Sequence, residues 1–284
     1  MKQRISMAKF TPNKTVKDGY KEFITSCKVK NLSEQTIFYY DKNMKIFETF
    51  LEIQEISLIK EIDLTVVNEF ILYLKALGTM NDISINTVIR AIRAILYYFQ
   101  KLGYCKPFKI GLIKADKTIK ETYTDHELKL LLVKPTMEQF AEYRDWVTIN
   151  FLLATGVRVG ELVGIQVKDV DFEDSVVKVK RGKSRRERHI PLSKTITKVL
   201  MEYISVRQCS SEDDYLFCNT FGQKLTEDLC KHSVLRYNRA RGVNKTSLHL
   251  FRHTFAKMFI STVATYLGCK RFWGIKALIS SRNT

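Results

Sequence analysis

Four basic side chains in the second half of the chain, Arg158, Lys183, His249 and Arg252, carry the chemistry a phosphodiester needs when a side chain attacks it without a metal. The pentacovalent transition state places extra negative charge on the non-bridging oxygens. Two arginine forks can each clasp those oxygens bidentately and act as an electrostatic clamp. A lysine can protonate the departing oxygen, a histidine can hold or move a proton, and a tyrosine could attack and store the bond. Glu161, one turn beyond Arg158, suits the task of orienting a guanidinium. Taken singly, each has a plain structural explanation: a helix-surface arginine, a core histidine, a charge on a solvated turn. Their order and local context make the set more than its members.

The elements that must position these groups are mostly helical. His249 and Arg252 form an H-x-x-R whose spacing puts both on one face of a helix. Arg158 follows the helical run Trp146 to Ala154 and its Gly156 interruption. Asp171 to Leu192 reads as a β-hairpin: Val176, Val177 and Val179 lead in, Gly182-Lys183-Ser184 turns, and Ile190-Pro191-Leu192 leads out. Upstream, Val16, Tyr20, Phe23 and Ile24 recur at helical spacing. Ser33 N-caps a second helix carrying Ile37, Tyr40, Met44, Phe47 and Leu51. Amphipathic runs Leu64 to Leu77 and Ile83 to Leu102 complete a four-helix bundle, with Leu96-Tyr97-Tyr98-Phe99 read as core. Cys105 to Glu121, with Pro107, many lysines and little periodicity, reads as an extended basic linker. Thr124-Asp125-His126-Glu127 is a capping box that opens a second domain. The fold class expected is mainly α with one small β-hairpin or sheet, in two domains.

Composition narrows the partners. Lys and Arg total 47 against 30 Asp and Glu, giving a net charge of +17. That points to a polyanion, nucleic acid above all. Hydrophobic residues make up 45%, as in an ordinary globular protein. No run approaches the ~18–20 apolar residues of a membrane span. The positive start Met1-Lys2-Gln3-Arg4 lacks the apolar stretch of a secretory signal. The six cysteines show neither C-x-x-C nor histidine at ligand spacing, so free thiols in a reducing cytoplasm are expected, with no metal site.

Three strings in order carry a resemblance. Ala154-Thr155-Gly156-Val157-Arg158-Val159-Gly160-Glu161-Leu162 resembles the first-arginine box of the tyrosine recombinase, or phage integrase, family. Val179 to Leu192 is similar to its lysine hairpin, and Leu248 to Ala256 to its H-x-x-R box. The N-terminal bundle resembles the family's SAM-like core-binding domain. The resemblance implies that Arg158 and Arg252 bind the scissile phosphate, that Lys183 is the general acid, and that His249 handles the proton. It implies a C-shaped clamp on double-stranded DNA, a covalent 3′-phosphotyrosine, no metal or nucleotide cofactor, and a synaptic tetramer. Lys178, Lys180, Arg181, Arg185, Arg186 and Arg188 make the hairpin basic enough to follow a groove and contact phosphates. The other reading is a solvated edge that keeps a strand from pairing.

Past Ile260 the pattern fails. The family's Leu-Gly-His histidine falls on Ile275 and its tyrosine on Thr284, while Tyr266 and Trp273 read as packing residues. The genetic code suggests why. In the frame taking the last base of each codon with the first two of the next, Thr262 to Thr265 permits Gly-Gly-Asp. Phe272-Trp273 then gives only Leu, Trp273-Gly274 only Gly, Gly274-Ile275 permits His, and Asn283-Thr284 gives only Tyr or His. A frameshift between about Ile260 and Val263 accounts for this order. The expectation is therefore a core-binding domain over 12–105, a linker over 106–122, a catalytic domain over 123–260 and an aberrant tail over 261–284. The function expected is that of a site-specific recombinase or integrase of a mobile element that keeps DNA binding without strand cleavage. The alternative is a non-catalytic DNA-binding protein, a truncated competitor of an intact recombinase.

Overall fold

A computed structural model describes residues 13–116, 121–179, 187–245 and 247–267, with side chains through residue 262. It divides into two compact units, 1–118 and 119–284.

The first unit is a four-helix bundle: α1 (Val16–Val29), α2 (Glu34–Ile53), α3 (Leu64–Ala76) and α4 (Asp82–Lys101). Each starts where a short polar side chain takes an orphan amide of the first turn. Thr15, Ser33, Asp63 and Asn81 accept from the N–H of Asp18, Thr36, Val66 and Ser84. The core is aromatic, with Phe47, Phe50, Phe70 and Phe99 almost wholly buried and Phe47 edge-on to Phe70 at 4.8 Å. The aromatic run on α4 divides: Leu96 and Phe99 are core, whereas Tyr97 is 40% exposed. Tyr97 is occupied elsewhere. The expected linker lies along α4 in its first half, pinned by side chains that reach its backbone. Ile110 N donates to the Tyr97 hydroxyl at 3.1 Å, Gln100 donates to Phe108 O at 3.2 Å, and Asn86 bonds both N and O of Ile113 at 3.0 and 2.9 Å. Cys105 and Ile110 are buried with it.

The second unit is built around α6 (Phe140–Thr155), which packs against α8 (Lys194–Arg207), α9 (Glu227–Ala240) and α10 (His249–Leu267). α5 (Asp125–Leu131) precedes it, opened by the expected capping box: Glu127 N donates to Thr124 Oγ1 at 3.2 Å and Thr124 N to Glu127 Oε2 at 2.7 Å. Because α6 is covered on several sides, its polar residues are enclosed as well. Arg144 and Asp145 are about 5% exposed, and their charges are satisfied by each other, by Ser233 on α9 and by the carbonyl of Cys218. The hairpin is present as β2 (Val176–Val179) and β3 (Arg188–Pro191), antiparallel with Val177 opposite Ile190. A third strand unseen in the sequence, β1 (Val170–Asp171), pairs with β2 to give the order β1-β2-β3. The turn bearing Lys183, with Lys180, Arg181, Arg185 and Arg186, lies outside the described residues, as do Ile275 and Thr284. Among the described residues no helix is long and apolar enough to cross a membrane.

Gly156 joins α6 to the site. It ends α6 in the left-handed conformation, φ 60°, with its N–H on Leu152 O at 2.9 Å. A Cβ there would stand 2.3 Å from a ring carbon of Phe255 on α10. Gly156→Ala is therefore expected to cost about 2–4 kcal/mol, combining left-handed strain with overpacking. Gly242, φ 74° with nothing near its Cβ position, provides the control. Gly242→Ala should cost only about 1 kcal/mol in the same denaturant series. Equal losses for the two would refute the close approach of α10.

A candidate phosphate-binding site

Beyond Gly156 the buried Val157 turns the chain, and Arg158 enters a four-residue helix, α7 (Val159–Leu162), in extended conformation. This turn throws Arg158 outward, its side chain 45% exposed, while Glu161 points inward at 3%. A buried carboxylate is tolerated only when its lone pairs are filled, and those of Glu161 are. Oε1 accepts from Arg158 Nη1 at 3.2 Å and from Arg188 Nη1 at 3.0 Å. Oε2 accepts from Arg158 N at 2.9 Å and from Arg188 Nη2 at 2.7 Å. Burial alone would raise its pKa; the hydrogen bonds from Arg188 and Arg158 outweigh burial and bring it down to about 2.

Arg252 arrives from α10. Its Nη1 donates to the carbonyl of Gly156, so the same glycine packs Phe255 and seats the second guanidinium. Burial lowers the pKa of Arg252, and the nearby charges of Arg158 and Arg188 lower it further, against the opposing pull of Glu161. Three guanidinium groups thus gather around one carboxylate, and positive charge is left in excess. His249, the first residue of α10, lies exposed one turn before Arg252.

α10 is anchored by its first turns. Phe251 stacks on Tyr123 with ring centroids 4.3 Å apart, and Thr254 Oγ1 accepts from Tyr123 N at 2.9 Å while donating to Leu250 O at 2.8 Å. Further along, Met258 and Phe259 are half exposed or more.

The structure therefore brings together Arg158, Glu161 and Arg252 of the expected set, with His249 one helical turn from Arg252. Lys178 and Arg188, expected as DNA contacts, both meet acids: Lys178 pairs with Glu187 at 2.9 Å, and Arg188 with Glu161. A signal for Arg188 was present. On β3 it shares the less exposed face with Ile190, so the strand's period of two sets it apart from the exposed His189 and Pro191.

Comparison with known proteins gives two sequence-family matches, the phage integrase family over residues 121–265 and the phage integrase SAM-like domain over 15–110. Tyrosine recombinase XerD of Staphylococcus saprophyticus is 30% identical over 253 residues, covering 85% of this chain and 83% of that protein. XerD of Staphylococcus haemolyticus is 32% identical over 255 residues with the same coverage. Among solved structures, the Tn1549 transposon integrase in complex with circular intermediate DNA aligns with a TM-score of 0.70 at 22% identity, covering 87% of each chain. A lambda integrase dimer bound to a COC′ core site aligns at 0.69 and 13% identity, over 88% of this chain and 91% of that one.

Proposed function

We propose, since the chain belongs to the phage integrase family of tyrosine recombinases, that it binds duplex DNA and holds one backbone phosphate in the Arg158–Arg252 clamp, but lacks the nucleophile for cleavage. The observation that carries this reading is the surplus of guanidinium over carboxylate at the site. A group of cations with one anion buried behind them is matched by a second, external anion.

In this reading each residue has a defined task. Arg158 and Arg252 donate to the non-bridging oxygens and stabilise the charge they gain as the phosphorus becomes five-coordinate. Lys183 gives a proton to the departing deoxyribose oxygen, and His249 holds or relays one. Glu161 fixes the arginine geometry. Residues 12–105 serve as the core-binding domain and 123–260 as the catalytic domain. Lys180, Arg181, Arg185 and Arg186 contact phosphates along a groove. Copies assemble on DNA, as in the lambda integrase tetramer solved on a Holliday junction. The setting is the cytoplasm.

The attacking oxygen is what the chain lacks. The family's spacing puts its tyrosine at Thr284, and the phage integrase match ends at residue 265, close to the inferred frame change. A second reading, a competitor that occupies recombination sites without cutting, is favoured by the completeness of the phosphate clamp upstream of that change.

Affinity for duplex measured at 50 and 200 mM salt tests the clamp. Release of phosphate counterions predicts a drop of about tenfold or more across that range. Salt-independent binding, or none to any duplex, overturns the reading.

A further inference from the structure

The unusual member of the site is Arg188. As a hairpin cation it would be one more phosphate contact, yet it is only partly exposed and spends both terminal nitrogens on one carboxylate. Its hydrogen bonds to Glu161, at 3.0 and 2.7 Å, form a bidentate fork. Arg158 touches the same carboxylate with a single terminal nitrogen at 3.2 Å, and its main-chain N–H takes the remaining place at 2.9 Å. The stronger, two-pronged hold thus belongs to Arg188, and the exposed Arg158 keeps most of its donors open.

The arrangement is a competition decided in advance. Arginine and carboxylate prefer the bidentate geometry, and Glu161 lies three residues from Arg158 on the same turn. Remove Arg188 and the buried carboxylate keeps one guanidinium hydrogen-bonded to it, that of Arg158, because Arg252 is held on the Gly156 carbonyl. Arg158 would fold back to supply the missing pair of hydrogen bonds, because a half-satisfied buried carboxylate is costly. Its fork would then be closed to an incoming phosphate. We propose that Arg188 is a positioning residue: it saturates Glu161 so that the guanidinium of Arg158 stays free to bind DNA phosphate. The inference rests on the phosphate-clamp reading above and adds a residue to it that touches no phosphate itself.

Second-site rescue distinguishes this from a direct contact. The full chain is compared with Arg188→Gln, Glu161→Gln and the double variant, with two readouts. One is the rate at which phenylglyoxal modifies Arg158, followed by peptide mass spectrometry. The other is affinity for a duplex at low salt. Arg188→Gln should slow modification of Arg158 severalfold and weaken duplex binding by about tenfold, the loss of a charge-assisted pair. Adding Glu161→Gln removes the carboxylate that traps Arg158, so both values should return toward those of the parent. Arg188→Lys, which keeps the charge but offers no fork, should resemble Arg188→Gln. It takes over the comparison should the glutamine variant fail to fold by circular dichroism.

If Arg188→Gln weakens DNA binding while leaving Arg158 reactivity unchanged, with no recovery in the double variant, Arg188 is a phosphate contact and the proposal is wrong. Parental values for both readouts also overturn it. Should the parent chain bind no duplex, the clamp reading falls, while the modification rates still decide whether Arg188 governs Arg158.

Discussion

A chain rebuilt in the shifted frame from about codon 262 will form a covalent adduct with a nicked suicide duplex, and the chain as it stands will form none. A clamp without an attacking oxygen can stabilise charge only on a phosphate that nothing attacks, so its transition-state complementarity has no reaction to act on. The shifted frame forces Leu-Gly, permits the His that follows at codon 275, and allows a tyrosine across codons 283 and 284, nine residues on. A denaturing gel reads the result as a band retarded by the mass of the protein. The substrate must carry the element's own recombination site, since the nick has to trap the phosphotyrosine before religation. A covalent band from the present chain that Tyr266→Phe abolishes would show that the nucleophile was misplaced and not lost. Silence from the rebuilt chain on its own site would remove the main support for a frame change.

In that rebuilt chain, Arg158→Ala or Arg252→Ala should each slow adduct formation by about 10²–10³-fold, the usual consequence of deleting one donor to a developing oxyanion. The two differ in what surrounds them. Arg252 is seated on the Gly156 carbonyl, whereas the exposed Arg158 touches Glu161 with one terminal nitrogen. Lysine should rescue neither, because one ammonium cannot span two oxygens. The double variant should lose less than the product of the singles, since both arginines serve one transition state. Single-turnover rates at saturating enzyme separate this from weak binding: a defect cured by raising enzyme concentration would assign the arginines to ground-state affinity alone.

Much of this was legible because the signals are local. Ser33 and the Thr124–Glu127 box announce helix starts within four residues, and the H-x-x-R spacing places His249 and Arg252 on a helix without further information. Gly156 after a helical run reads as a left-handed stop. Other features depend on distant partners and leave no local trace. β1 is two residues long, too short for alternation to show. Arg144-Asp145 looks like a surface pair; it is buried because Ser233 and the Cys218 carbonyl come from 89 and 74 residues away. The lysine-rich segment after Cys105 concealed its docking on α4, since Asn86, Tyr97 and Gln100 hold its backbone and its side-chain composition says nothing of that. Arg188 fell between the two kinds. Its alternation was visible, but the carboxylate it meets is 27 residues upstream.

The anchoring of α10 has a consequence for the life of the protein in a cell. Phe251, Arg252, Thr254 and Phe255 attach the helix before the point where the reading frame is inferred to change, and Met258 and Phe259 are half exposed or more. Proteases and chaperones respond to the population of unfolded chains, which the global stability sets. Met258 and Phe259, half exposed or more, contribute little to it. On the reading proposed above, a change of frame in the tail spares the anchored turns of α10 and with them the folded clamp. Where an intact copy of the gene is expressed alongside, dosage alone would decide how often a recombination site is filled by a subunit unable to cut it.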